Sequence, residues 1–162
     1  MNLIGQIINA MIAYYAGDVR RINHFLKVYG FAKAIGEMEG LDESTQEIIE
    51  IAALTHDIGI KNSEKKYNSS AGNYQQIEGP PEAKKLLEGL GIESGVIDHV
   101  CWLIAHHHTY TDIQGIDYQI LVEADFLVNF YEDDMSIDSV HSAGGKMFKT
   151  LSGKAILNAI YS

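Results

Sequence analysis

The sequence predicts an all-α fold, one domain over residues 1-162 built as a bundle of about six to eight helices. Three observations predict it. In the long segments between glycines, apolar residues recur at spacings of three and four. The two prolines, Pro80 and Pro81, stand side by side and so interrupt the chain at a single point. At 162 residues with 46% hydrophobic side chains, the chain can bury one sizeable core.

The elements follow in order. Asn2 to Tyr15 places Ile4, Ile8, Met11 and Ile12 on one face, and Val19 to Met38 does the same with Val28, Phe31, Ala32 and Ile35. Ser44 followed by Glu47 has the form of a capping box, so a third helix is expected from Ser44 to about Asp57, with Gly59 placed to stop it. Lys61 to Gly79 is polar and mixes Asn, Ser and Gly, which predicts a long loop of the kind that forms lids or binding segments. Pro80-Pro81 suits a helix start, giving a short helix to about Glu88. Helices over Ser94 to His108 and Tyr118 to Tyr131 come next. The last stretch, Ser139 to Tyr161, reads as helical with breaks at Gly144-Gly145 and Gly153.

Composition narrows the function classes. Twelve Lys and Arg against 22 Asp and Glu give a net charge of -10 with no basic stripe, which argues against a nucleic-acid partner. It leaves room for a small phosphorylated ligand, because net charge governs long-range partners and not a pocket. Cys101 is the single cysteine, so an internal disulfide and a thiolate-rich metal site are excluded, and any metal must sit on His, Asp and Glu. No apolar run approaches the roughly 18 residues of a membrane span, and Met1 to Ala13 lacks the marks of an export signal, so a cytoplasmic protein with no membrane partner is expected. A homodimer is compatible with all of this.

The informative residues are His24, the pair His56-Asp57, and Asp125. Each lies on the apolar face of its predicted helix: His24 precedes Val28 and Phe31 by four and seven, His56 and Asp57 flank the stripe of Ile48, Ile49, Ala52 and Ala53, and Asp125 is in line with Leu121 and Val128. One such residue alone reads as a core group satisfied by hydrogen bonds. Four on the inner faces of three helices suggest a mixed nitrogen and oxygen ligand set that leaves positions open on a divalent ion.

That set, with Ala-Ala-Leu-Thr-His-Asp-Ile-Gly around the doublet, resembles the HD-domain metal-dependent phosphohydrolase superfamily over about Asp18 to Tyr131. The resemblance implies an HD-type helical bundle with its motif-bearing core at 18-131 and a C-terminal helical extension at 132-162. It implies one divalent ion, Mn, Fe, Co, Ni, Zn or Mg, on His24, His56, Asp57 and Asp125. Members with two ions carry histidines where His106, His107 and His108 stand, but also a further His where this chain has Gln75 or Glu78, so a second ion is the less favoured expectation. At least one of His106 to His108 should face inward, His107 as a proton donor to the leaving oxygen and His106 or His108 against the substrate.

Further candidates lie around this set. Lys61, just past the doublet, could reach a phosphate, and one of Arg20 and Arg21, a turn before His24, could supply a second cation. Glu78 is either a pocket carboxylate or a cap for the helix after it. Lys149 could be brought in by the segment 146-150. The expected activity is hydrolysis of a phosphate ester, of a nucleotide or a small phosphorylated metabolite, by water that the ion acidifies. The alternative is a sensor that holds metal and nucleotide without turnover, and a helical protein with a merely hydrogen-bonded polar core is the third reading. Gly59-Ile60-Lys61 after the doublet departs from the hydrolases of the stringent-response nucleotide, and Gly115-Ile116-Asp117-Tyr118 lacks the Gly-Tyr-Pro of cyclic-dinucleotide phosphodiesterases. A P-loop and a Gly-x-Ser-x-Gly nucleophile motif are both missing.

Overall fold

Nine α-helices and no strand occur among residues 2-162, the part of the chain that the structure, a computed structural model, describes. Met1, with which the expected domain begins, lies outside the described residues. In chain order the helices are α1 (Leu3–Tyr14), α2 (Val19–Glu39), α3 (Glu43–Thr55), α4 (Ile60–Tyr67), α5 (Gly72–Gly89), α6 (Ser94–His106), α7 (Ile116–Glu132), α8 (Ile137–Met147) and α9 (Leu151–Ile160). The all-α expectation holds, with one helix more than the upper end of the expected range.

The middle of the bundle is α3. Every residue from Ile48 to Thr55 is buried, because α1, α2, α6 and α7 pack around it. A helix apolar on all sides belongs at the centre of a fold. Its cap is Asp42, whose carboxylate accepts from the Thr45 amide at 3.0 Å and from the Thr45 hydroxyl at 2.7 Å, and not the expected Ser44. On α1 the buried stripe is Ile7 and Met11, with Ile12 turned outward. On α2 the inner face carries Phe25, Val28, Ala32 and Ile35, while Phe31 is only half-buried.

The expected loop 61-79 is wrong. Helix α4 and the first half of α5 occupy it, joined by a short turn that leaves α4 through Asn68 in the left-handed conformation, φ 52°. Apolar periodicity is missing there because α4 buries little beyond Ile60 and Ser63, and the first half of α5 buries Gln75, Glu78 and Gly79. Pro80 and Pro81 therefore lie inside α5 and do not start it. Gly59 has ordinary right-handed φ, so it does not end α3 by a left-handed turn. A Cβ on it would meet the Gly79 amide nitrogen at 2.6 Å and the Gln75 carbonyl at 2.7 Å. The turn after His56-Asp57 thus rests directly on the backbone of α5.

The expected glycine breaks near the C-terminus are also misplaced. Gly144, Gly145 and Gly153 are all helical, and the break falls at Phe148 to Thr150. Side chains at Gly144 and Gly153 would collide with Leu157 and with the Glu123 carboxylate, so close packing and not helix breaking explains them. Glu123, fully buried, accepts from Gln119 Nε2 and Thr150 Oγ1, each at 2.7 Å, and fixes the start of α9. Helix α9 lies on α2 and α7, and Val140, Phe148 and Leu157 join the same core cluster as Ile7 and Ile49.

Candidate metal centre

Three helices bring the predicted ligands together. His24 is one turn into α2, His56 and Asp57 follow the last residue of α3, and Asp125 is midway along α7. His24 Nε2 lies 3.1 Å from Asp57 Oδ2, 3.2 Å from Asp125 Oδ1 and 3.3 Å from His56 Nε2. His56 Nε2 is 3.3 Å from Asp57 Oδ2 and 3.4 Å from Asp125 Oδ1. Ligand atoms of His24, His56 and Asp57 all fall within 4.8 Å of one another. Such a separation lets one ion touch all of them.

The outer nitrogens show what the inner ones are for. His56 Nδ1 donates to the Ala53 carbonyl at 2.7 Å, and His24 Nδ1 faces the Glu132 carboxylate at 3.1 Å. With the proton held on Nδ1, each Nε2 presents a lone pair to the centre. His107 repeats the pattern: its Nδ1 donates to the Ile104 carbonyl at 2.7 Å, while its Nε2, buried and without a hydrogen-bond partner, lies 3.5 Å from Asp57 Oδ1. A buried bare nitrogen is costly unless something positive meets it. The donor set therefore fits a divalent cation.

Electrostatics of the metal-free cluster point the same way. Burial opposes charge on His24, yet hydrogen bonds to Asp125 and Asp57 override it and push the imidazole up to about 9. Burial likewise opposes charge on His56, and Asp57 with Asp125 raises it well above the usual range. Asp57 and Asp125, against their own burial, are held well below the usual carboxylate range by His56, His24 and, for Asp57, His107. Without an ion, protons take the place of the positive charge.

The other sequence candidates divide sharply. His107 and His108 both face the cluster, since Asp57, His107 and His108 form a second group of close ligand atoms. His108 Nε2 meets Gln75 Oε1 at 3.0 Å, and burial together with His107 pushes its imidazole down to about 4. His106 turns away, stacked on Trp102 at 4.2 Å with Nδ1 bonded to the Trp102 carbonyl, because helical rotation carries it off the inner face. Arg20 and Arg21 line a cavity of about 450 Å³ that opens from His24, Asp57 and Asp125. Arg21 is committed to Asp18 at 2.9 Å and to Glu64.

Lys61, Glu78 and Lys149 are not brought to that cavity. Helix α4 directs Lys61 toward α1, where Nζ donates to the Tyr14 carbonyl at 3.0 Å and covers the Tyr14 ring. Glu78 is held by Lys66 at 2.9 Å and by the Tyr67 hydroxyl at 3.1 Å, and its mid-helix place in α5 rules out the capping role. Lys149 is exposed in the turn before α9.

Three contributors escaped the sequence reading. Glu132 and Asn129 stand two turns and one turn beyond Asp125 on α7, and that i+4, i+7 spacing was the available signal. Asn129 donates to Asp125 Oδ1 at 3.1 Å, and Glu132 is itself paired with Lys27 at 2.9 Å. Tyr15, buried, donates its hydroxyl to the Asp57 carbonyl at 2.7 Å. Burial and the nearby Asp57 keep that hydroxyl protonated far above its ordinary range.

A family model described as the HD domain matches residues 21–140, most of the chain. The chain belongs to the HD-domain family. Its fold is similar to the crystal structure of a predicted HD superfamily hydrolase from an uncultured Thermotogales bacterium, at 20% identity and a TM-score of 0.69, over 99% of this chain and 91% of that one. No curated protein sequence matches it. The matched span contains His24, His56, Asp57 and Asp125, the residues whose donor atoms converge, and no helix among the described residues is long and apolar enough to cross a membrane.

Proposed function

We propose that this HD-domain protein is a metal-dependent phosphohydrolase that cleaves the phosphate ester of a nucleotide or another small phosphorylated metabolite. The observation that carries the reading is the convergence of His24 Nε2, His56 Nε2 and carboxylate oxygens of Asp57 and Asp125, three of these residues, His24, Asp57 and Asp125, lining a half-open cavity. A structural metal site would be closed by its ligands. His24, His56, Asp57 and Asp125 would hold a divalent ion here, whose chemistry would be to acidify water and polarise a phosphoryl oxygen.

The chain's own groups do the rest. Glu132 holds the Nδ1 proton of His24, the Ala53 carbonyl that of His56, and Asn129 and Tyr15 fix Asp125 and the backbone of Asp57. Such outer contacts keep the ligands oriented. Arg20 faces the cavity and can neutralise a phosphate oxygen, while the bare Nε2 of His107, beside Asp57, can take up a proton or a ligand. A second ion, on Asp57, His107 and His108, is supported by their close donor atoms, with the Gln75 amide where a further ligand would be wanted. We place the protein in the cytoplasm.

The test is Asp57→Ala, measured with several metals against a panel of phosphate esters. It should keep the helical circular dichroism of the parent and lose both bound metal and phosphate release. Full activity in that variant overturns the assignment. Saturable nucleotide binding by the parent with no turnover would favour a sensor.

A further inference from the structure

The cavity above the candidate centre is unusual in what its walls offer a substrate. Beyond the three candidate ligands that line it, His24, Asp57 and Asp125, its polar lining includes Asp18, Ser70, Gln75, His108, Asn129 and Glu132, and its one apolar side chain is Ile60. No aromatic ring of the described tyrosines, phenylalanines or tryptophan lines it. Other aromatic rings are engaged with neighbours: Tyr110 packs on Phe126 at 5.1 Å with its hydroxyl 3.4 Å from His108 Nδ1, Tyr67 and Tyr74 stack on each other at 4.1 Å, and Trp102 stacks on His106. A purine or pyrimidine would find no tyrosine, phenylalanine or tryptophan ring in the lining, only the imidazoles of His24 and His108, the first of them held in the ligand cluster, and little apolar surface to cover its faces.

Positive charge is equally scarce. Arg21 is neutralised by Asp18 and Glu64, Lys27 by Glu132, and Lys61 reaches the Tyr14 carbonyl outside the cavity. Arg20 is the one cation of the cavity wall with no ion pair or hydrogen bond among the described residues. Against it stand Asp18 and Glu132, outside the ligand set. One phosphate can be met by an ion and Arg20. A second or third phosphate would lie against carboxylates with no further cation.

We infer that the site takes a compact phosphomonoester with a single phosphate on a neutral, hydroxyl-rich skeleton, a sugar or polyol phosphate, in preference to nucleotides and to any polyphosphate. Hydroxyl groups suit the hydrogen-bonding side chains of Ser70, Gln75 and Asn129 and the carboxylates of Asp18 and Glu132. The volume of about 450 Å³ lies in the lower part of the range for small-ligand pockets, roughly 300 to 1,000 Å³. In the reaction, the oxygen of water bonds to phosphorus and the ester phosphorus–oxygen bond breaks. The bonding pair leaves on the ester oxygen, which takes a proton, so the products are an alcohol and inorganic phosphate with no redox change.

This inference rests on the phosphohydrolase reading, and one experiment separates the two. Phosphate release by the full chain with Mn²⁺ is compared across pentose, hexose and glycerol phosphates, nucleoside 5′-monophosphates and nucleoside triphosphates, for the parent, Arg20→Ala and Arg20→Lys. The best sugar or polyol phosphate should exceed every nucleotide in kcat/KM by about tenfold or more. Arg20→Ala should raise its KM by about tenfold with a smaller effect on kcat, the loss of one charge-assisted hydrogen bond, and Arg20→Lys should recover part of it. Nucleotides cleaved as well as or better than the sugar phosphates overturn the inference and leave the phosphohydrolase standing. An unchanged KM in Arg20→Ala overturns the part assigned to that residue. If no ester of any kind is cleaved with Mn²⁺ or other divalent metals, the proposed function falls and this inference with it.

Discussion

Glu132 is the residue through which the structure can be tested where the sequence was silent. Its carboxylate lies 3.1 and 3.2 Å from His24 Nδ1, its side chain is only 12% exposed, and Lys27 holds it from the other side at 2.9 Å. If His24 ligates a metal through Nε2, Glu132 fixes both the tautomer and the ring plane. A hydrogen bond to a charged group is worth about 1.5–3 kcal/mol, and this one is part-buried. At about 1.4 kcal/mol per factor of ten, its loss should weaken metal affinity by roughly 10- to 100-fold, the range known for such outer contacts. Glu132→Ala should show that loss in calorimetric titration of chelator-treated protein with Mn²⁺. Glu132→Gln, which keeps an acceptor but not the charge, should fall between Glu132→Ala and the parent. Parent-like affinity in Glu132→Ala, with circular dichroism unchanged, would show that His24 is not a ligand.

Other outcomes follow from the same geometry. In metal-free protein, His24 is raised from 6.5 to about 9, so its contribution to stability is fully present below pH 6.5 and lost as pH rises through 9; the melting temperature of chelator-treated protein should fall across that window. With Mn²⁺ present the fall should vanish or reverse, because the ion replaces the proton and binds better as protons leave. Gly59→Ala puts a Cβ against the backbone of Gly79 and Gln75 and should cost about 1–3 kcal/mol by denaturant titration, whereas Gly89→Ala, with open space at its Cβ, should be neutral or gain up to about 1 kcal/mol.

Much of the fold was legible because its central helices are written in apolar periodicity. Helices α3 and α7 bury nearly every residue in their middles, so His56-Asp57 and Asp125 stood out as polar groups in apolar company. Helix α4 and the first half of α5 were hidden because, Ile60 apart, their inward contacts are made by Gly59, Ser63, Gly79, Gln75 and Glu78, which carry no hydrophobic signal. The same gap misplaced Lys61, which a loop could have sent to the cavity but α4 sends to Tyr14. The prolines misled for a related reason: a helix already under way at Gly72 accommodates Pro80 and Pro81, and sequence alone gives no sign of that start. Among the histidines, a turn at the end of α6 separates His106, which stacks outward, from His107 and His108, and their adjacency in sequence could not reveal it.

The most direct test of the account is the metal content of protein purified without chelator, for the parent beside Asp125→Ala. Asp125 touches both His24 and His56 and is nearly buried, so its loss removes a ligand from the middle of the set. The parent should carry a divalent metal, the variant should lose most of it, and the parent's melting temperature should rise on adding Mn²⁺ or Ni²⁺. No detectable metal in the parent, together with no thermal response to either ion, would contradict it and leave a hydrogen-bonded polar core.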